Sequence, residues 1–328
     1  MSPSKAVVKA ALAPVADGLE KMRGILLAEM ADESKAVGDM TSHVGRFRGK
    51  QLRAGLVLLV GEATGNTTDE HATVAAIVEL IHLATLVHDD ILDGAETRRR
   101  VASVHTRWDN QTAVLLGDFL YARAFGLSTT LSSRLCSQLL SDTTRRICAG
   151  EIDQANKRYD FEVPYATYER IAGAKTALLY AAACELGARY PGANHQVGEQ
   201  MRAVGYALGL AFQIIDDCLD LAGDPEATGK GVGTDVADGK ITLPVLHAYA
   251  LASEDTRAKI RDCYTRPDLE DRLTPLRALP ELAAGLQFAR GRAEELIGDA
   301  NARLSTLPES RARRSIERLL DFVLERTF

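Results

Sequence analysis

Between Pro14 and Pro164 the chain contains no proline. So long a gap removes the residue that most reliably breaks helices and leaves helix formation unopposed across that region. Cysteine is equally uninformative as a scaffold. The five residues Cys136, Cys148, Cys184, Cys218 and Cys263 are odd in number, scattered and without a CxxC pair. Neither a disulfide framework nor a zinc site is written in them, and a reducing, cytoplasmic setting is expected. Basic charge is in deficit, with a formal net charge of −6, which speaks against a nucleic-acid partner. No uninterrupted apolar run approaches the ~20 residues that cross a bilayer, so no transmembrane segment is expected. The Ala/Val-rich start is interrupted by Pro14, Asp17 and Glu20 and reads as an amphipathic helix, not a signal peptide.

What is present is helical periodicity. Apolar residues recur at three- and four-residue steps, as in Leu52, Leu56, Leu59, in Val74, Ile77, Leu80, Ile81, and in Leu116, Phe119, Leu120, Ala124. Sustained alternation of the strand type is missing. Turn formers gather at 61–70, 93–100, 191–196, 223–235 and 264–268. No shift in composition marks a domain boundary. The expectation is one all-α domain over 1–328, built from about a dozen helices of ordinary length.

Two acidic clusters then stand out, Asp89, Asp90, Asp93 in HDDILD and Asp216, Asp217, Asp220 in IDDCLD. Both follow the spacing i, i+1, i+4, which on a helix stacks two carboxylates and sets the third about 100° round. Each closes a long apolar stretch, VAAIVELIHLATLV and AVGYALGLAFQII. Carboxylates crowded at the edge of an apolar interior repel one another and are costly to bury unpaired. A hard divalent cation with oxygen ligands relieves that cost, and magnesium keeps coordination places open for phosphates. One such cluster would pass for a solvated acidic patch; two with the same spacing and lead-in point to metal-held polyphosphate.

Cations lie near both. Arg98, Arg99 and Arg100 follow the first cluster in a loop, and an arginine fork suits phosphate oxygens. A glycine-rich segment with Lys230 and Lys240 follows the second. It lacks the P-loop spacing and reads as a flap that closes over the site. Lys50 and Arg53 stand three apart before an apolar helix; Lys175 and Thr176 precede a small-residue helix. His82 lies two helical turns before Asp89. No Ser-His-Asp or Cys-His arrangement is apparent.

Taken in order, GKQLR (49–53), IHLATLVHDDILD (81–93), RR (98–99), LLGDFLYARAF (115–125), GEIDQ (150–154), KT (175–176), FQIIDDCLD (212–220), GKGVGTD (229–235) and DGKITLP (238–244) resemble the trans-isoprenyl diphosphate synthases, the polyprenyl synthetase family. The resemblance implies an all-α helical bundle of the isoprenoid synthase type with a central cavity, usually a homodimer. It implies that the six aspartates hold about three magnesium ions against an allylic diphosphate. Arg98, Lys175, Lys230 and Lys240 match positions on that diphosphate. Lys50, Arg53, His82 and Arg99 match positions that bind isopentenyl diphosphate, and Gln213, like Thr176, matches a polar residue of the site. The implied reaction is magnesium-assisted ionisation of the allylic substrate, attack by the alkene of isopentenyl diphosphate, and loss of a proton to the departing diphosphate. The chain departs from the family where it has Gln51 for arginine, Ala54 for proline, and Arg100, Val101, Ala102 for Gly-Lys-Pro.

Product length should be set just before Asp89, where Ala84 and Thr85, with Ile81 a turn deeper, are small where short-chain members carry aromatics. That pattern resembles the long-chain synthases, with Phe119, Phe125, Leu127 and Leu131 as candidate floor residues. The alternatives are a farnesyl or geranylgeranyl diphosphate synthase, a terpene cyclase, whose second motif is not an aspartate cluster, and a non-catalytic subunit, which tends to lose its acidic clusters.

Overall fold

The computed structural model describes residues 3–47, 49–99, 101–190, 192, 194–223, 232–266 and 268–326. Over these the chain is helical with short connections, as its periodicity requires, and the all-α expectation holds. The helices used below are α1 (Ala16–Met30), α2 (Lys35–Val44), α3 (Leu52–Thr64), α4 (His71–Leu92), α5 (Asn110–Ser128), α6 (Leu135–Asn156), α7 (Tyr165–Ala172), α8 (Leu178–Arg189), α9 (His195–Ala222) and α10 (Arg311–Leu324). One feature escapes the periodicity. Inside the turn-rich stretch after the first cluster, β1 (Thr97–Arg98) and β2 (Val101–Ala102) pair antiparallel, Thr97 opposite Ala102 and Arg98 opposite Val101.

The chain gathers into two compact units. The first comprises Met1–Thr143, Leu179–Gly205 and Arg303–Leu319; the second comprises Thr144–Leu178, Tyr206–Ala302 and Leu320–Phe328. In the first, α4 is the central element and packs on α1, α3 and α5. Its apolar residues run round the whole helix, and Val74, Ala75, Ala76, Ile77, Val78, Leu80, Ile81 and Ala84 are all buried. A helix apolar on every side belongs in a core. By length and composition alone α4 could cross a membrane, which the sequence reading did not anticipate. Its most apolar window is 72% buried inside the structure, as in the core helix of a globular fold. The preceding α3 contributes Leu56, Val57, Leu59 and Val60 to the same core. The start of α5 is fixed by Asp109, whose carboxylate accepts from the Thr112 backbone N–H at 2.7 Å and from its hydroxyl at 3.0 Å, a capping arrangement worth about 1 kcal/mol.

In the second unit the long helix α9 buries Leu210, Ala211, Ile214, Ile215, Cys218 and Leu221, at helical spacing, and ends in the second acidic cluster. Between α7 and α8 the residues Gly173–Ala177 form a single π turn, whose wider i→i+5 pitch advances the side chains by one position and is frequent at functional sites. Lys175 and Thr176 lie in that turn.

Candidate active site

In the first unit the site is assembled by α4, the hairpin that follows it, and the start of α3. Asp90 is the buried member of its cluster, 1% exposed, while Asp89 and Asp93 are half-buried. Arg98 reaches back from β1 and donates to Asp90 Oδ1 through both Nε and Nη2, each at 2.6 Å. The other oxygen, Oδ2, is buried and has no hydrogen-bond partner among the described residues. Burial holds the Asp90 carboxyl above its ordinary value, and Arg98 opposes that shift.

The hairpin is itself held. His43, buried at the end of α2, donates from Nε2 to Ala102 O at 2.7 Å and accepts at Nδ1 from Arg107 at 2.8 Å, which selects the Nε2–H tautomer. Trp108 and Phe47 meet the His43 ring edge-on. Arg99, at the hairpin turn, has a left-handed backbone with φ 52° and donates to Phe47 O. Its guanidinium lies over Gly49, where a Cβ would come within 2.8 Å of both terminal nitrogens, so glycine is what lets the arginine pass.

Arg53 and His82 also meet. Arg53 Nη1 donates to His82 Nε2 at 3.1 Å, and the guanidinium stacks on the Tyr180 ring at 4.3 Å. Withdrawal from water, then the positive charges of Arg53, Arg99 and Arg98, hold the His82 imidazole well below its ordinary value, so it is neutral and accepts from Arg53. Glu79, buried in the same helix, accepts from the Ala54 backbone N–H at 3.2 Å and so satisfies an orphan donor at the start of α3. Burial raises its carboxyl, and Arg53 opposes the rise. Gln51, one of the family departures, is left-handed with φ 51° and accepts from Arg23 at 3.0 Å, so a guanidinium stands beside the position where the family usually has one. Lys50 is half-buried nearby in sequence. Ile81 and Ala84 are fully buried, and Thr85 donates to His82 O at 2.8 Å.

In the second unit the aspartates have different company. Asp217 is 5% exposed and takes Tyr168 OH on Oδ2 at 2.6 Å and Gln213 Nε2 on Oδ1 at 2.7 Å. Gln213 in turn accepts from Thr176 Oγ1 at 2.6 Å, so the π turn is tied to the cluster through one amide. Burial pushes the Asp217 carboxyl up to about 7 against its two hydrogen bonds, with Asp216 and Asp220 adding to the rise. Asp220 accepts at Oδ1 from Thr234 N (3.2 Å) and Oγ1 (2.8 Å), and at Oδ2 from Asp235 N (3.0 Å). Asp235 is held well above its ordinary value by burial and by its acidic neighbours Asp217 and Asp220. Asp216 accepts from Arg326 Nη2 at 2.8 Å. Lys175 pairs with Glu151 at 3.3 Å and Lys240 with Asp238 at 2.9 Å. Lys230 and Arg100 lie outside the described residues.

The structure thus gathers Asp90 with Arg98, Arg53 with His82, and Thr176 with Gln213 and Asp217. Among the described residues no three carboxylate, imidazole or thiolate groups converge as ligands of one ion. The reason is local. Asp90, Asp216, Asp217 and Asp220 are each turned to a partner of their own, which is how like charges on one helix relax without a cation between them. The donor set still fits a hard divalent ion. It is all oxygen, Asp90 keeps a buried oxygen with no hydrogen-bond partner among the described residues, and burial, with acidic neighbours adding to it, raises the carboxyls of Asp217 and Asp235, a cost that a cation would relieve.

Sequence reasoning passed over Tyr168, Tyr180, His43, Glu79, Asp235 and Arg326. Only Glu79, a lone carboxylate inside an apolar run, and Asp235, within GKGVGTD, carried a local signal. The others reach the site by tertiary contact.

Comparison with known proteins agrees with this arrangement. The sequence profile of the family described as Polyprenyl synthetase matches residues 34–277. The chain is 34% identical to a "Heptaprenyl diphosphate synthase component 2" of Bacillus subtilis, covering 87% of this chain and 81% of that protein. It is 36% identical to a "Short chain isoprenyl diphosphate synthase" of Methanothermobacter thermautotrophicus, covering 91% and 96%. Its fold matches a crystal structure of a polyprenyl synthase from Caulobacter crescentus CB15, complexed with calcium and isoprenyl diphosphate. That match has a TM-score of 0.91 at 32% identity and covers 97% of this chain and 98% of that one. The chain belongs to the polyprenyl synthetase family, has its all-α isoprenoid synthase fold, and is a prenyltransferase that makes an isoprenyl diphosphate.

Proposed function

We propose that the chain condenses isopentenyl diphosphate with an allylic diphosphate repeatedly, to a polyprenyl diphosphate longer than geranylgeranyl diphosphate, with 1–328 working as one domain. Asp89, Asp90, Asp93, Asp216, Asp217 and Asp220 hold about three magnesium ions. When bound, the metal supplies Lewis acidity that draws electrons into the leaving diphosphate. Arg98, Lys175, Lys230 and Lys240 neutralise that diphosphate as its allylic C–O bond breaks. Arg53, Lys50, Arg99 and neutral His82 hold isopentenyl diphosphate so that its alkene faces the cation. Thr176 and Gln213 orient Asp217. The departing diphosphate takes the proton, which fits a site in which His82 is already committed to Arg53 and His43 to the Ala102 carbonyl and Arg107.

The long product rests on one observation. Ala84, one turn and one residue before Asp89, is a small side chain fully buried in α4, with half-buried Thr85 beside it. The short-chain Methanothermobacter relative favours the competing reading, a farnesyl or geranylgeranyl product. Chromatographic sizing of the products decides between them. Long products that shorten in Ala84→Phe and Thr85→Phe support the proposal, because a packed interior has no slack for an extra ring. A wild type that stops at geranylgeranyl diphosphate overturns it.

Two further assignments go with this reading. Leu115 (60% exposed) and Val114 (43%) are exposed apolar side chains on α5, which we assign to contact with a second copy of the chain in a homodimer. The Bacillus relative is named as one component of a synthase; turnover by the purified chain alone separates a self-sufficient enzyme from one that needs a partner.

A further inference from the structure

Arg326 lies just beyond α10, and no motif of the chain includes it. Its Nη2 donates to Asp216 Oδ1 at 2.8 Å, and its guanidinium covers the Phe212 ring at 4.4 Å. Phe212 and Asp216 are one turn apart on α9, so the arginine is laid along the helix face that ends in the second cluster. The side chain is 20% exposed, yet Nη1 is buried and without a hydrogen-bond partner among the described residues. A guanidinium offers five donors, and leaving a buried one unmade is costly. The Phe212 ring supports the guanidinium through its π face but has no oxygen to accept from Nη1.

We propose that Arg326 is a diphosphate-binding residue held in reserve on Asp216, and that a divalent cation on Asp216 releases it. The proposal rests on the reading of Asp216 as a metal ligand. A guanidinium on Asp216 Oδ1 draws on the carboxylate's charge and repels a doubly charged ion brought to either oxygen, so Arg326 and the metal compete for Asp216 in the substrate-free protein. Once displaced, Arg326 keeps its charge, its fork of donors and its aromatic support beside the same carboxylate. A diphosphate, with oxygens to spare for Nη1 as well as Nη2, is the chemistry that such a group recognises. Metal binding and diphosphate binding are thereby coupled. The ion removes the carboxylate from Arg326, and the diphosphate accepts the arginine, which makes each ligand favour the other.

Binding alone tests this, without turnover. Calorimetric titration of the full chain with Mn2+ and no substrate should give tighter binding in Arg326→Ala than in wild type, by roughly threefold to tenfold, since a competitor has gone. Titration with inorganic pyrophosphate at saturating Mg2+ should give the reverse, a loss of about tenfold or more in Arg326→Ala. Arg326→Lys keeps the charge without the fork, and should fall between wild type and Arg326→Ala in the pyrophosphate titration; it also serves if Arg326→Ala does not fold. Unchanged Mn2+ affinity in the variants would remove the competition, and unchanged pyrophosphate affinity would remove the ligand role; either result overturns the inference. A wild type that binds Mn2+ and pyrophosphate but makes no prenyl product would instead sink the proposed function and leave this inference standing.

Discussion

The two acidic clusters share one spacing and differ in how the protein neutralises them. In the first, the buried Asp90 is met by a full positive charge, Arg98, brought in by a hairpin that His43 pins in place. In the second, the buried Asp217 is met by neutral donors, Tyr168 and Gln213, and the cluster has a further carboxylate, Asp235, beside it. Burial therefore raises both carboxyls, and acidic neighbours add to both shifts, but the rise is opposed by an arginine at Asp90 and only by neutral hydrogen bonds at Asp217, which rises to about 7. Repetition of a motif in sequence does not repeat its electrostatics. Each cluster has an arginine, but Arg98 bonds the buried carboxylate itself, whereas Arg326 bonds Asp216 and leaves the buried Asp217 to neutral donors, so Asp217 is the carboxylate with more to gain from an added cation.

Removing that cation should have the largest effect. Chelation of divalent ions is expected to lower turnover by roughly a thousandfold or more, the scale on which electrostatic stabilisers of a leaving group act. Added metal should raise the thermal midpoint of wild type, and the gain should shrink further in Asp216→Asn than in Asp89→Asn if the second cluster is the needier. An equal loss in both variants would erase the distinction.

Stability should sharpen the comparison next. Arg98→Ala strands Asp90 as a buried charge and is expected to cost about 3–5 kcal/mol in urea unfolding of the metal-free protein. Tyr168→Phe removes one neutral donor from Asp217, and should cost about 1–3 kcal/mol. A larger cost for Tyr168→Phe would reverse the assignment of charged and neutral support.

On the isopentenyl side, Arg53→Ala should raise KM for isopentenyl diphosphate more than KM for the allylic substrate, by the roughly 1.5–3 kcal/mol of a hydrogen bond to a charged group. A rise shared equally by both substrates would place Arg53 elsewhere.

The smallest effect concerns His82. Its folded value lies well below the ordinary imidazole value of about 6.5, so the unfolded chain takes up a proton that the folded chain refuses. Its contribution to stability is complete above about pH 6.5 and is lost as pH falls below that value. His82→Gln should therefore lose less thermal stability than wild type between pH 7.5 and 5.5; an equal or greater loss would mean that His82 is not the group responsible.

The helical fold was legible because apolar residues at three- and four-residue steps, as at Val74, Ile77, Leu80 and Ile81 and through the amphipathic segment 207–219, leave a periodic trace in the chain itself. The aspartates were legible for the same reason, since i, i+1 and i+4 are neighbours on one helix. The strand pair 97–102 was not, because two residues are too few to show alternation. Tyr168 on Asp217, Tyr180 under Arg53, His43 behind the hairpin and Arg326 on Asp216 were not legible either. Each is brought to its partner by packing between elements far apart in sequence, and nothing in its own neighbourhood marks it.

The most direct test of the account is turnover by purified Asp89→Ala and Asp216→Ala proteins with magnesium, isopentenyl diphosphate and an allylic diphosphate, each variant first shown to be folded by circular dichroism. Prenyl transfer by two metal-holding clusters predicts that both substitutions abolish product formation while the helical signal stays intact. Product formed at the wild-type rate by either variant, with the wild-type response to magnesium, would contradict it.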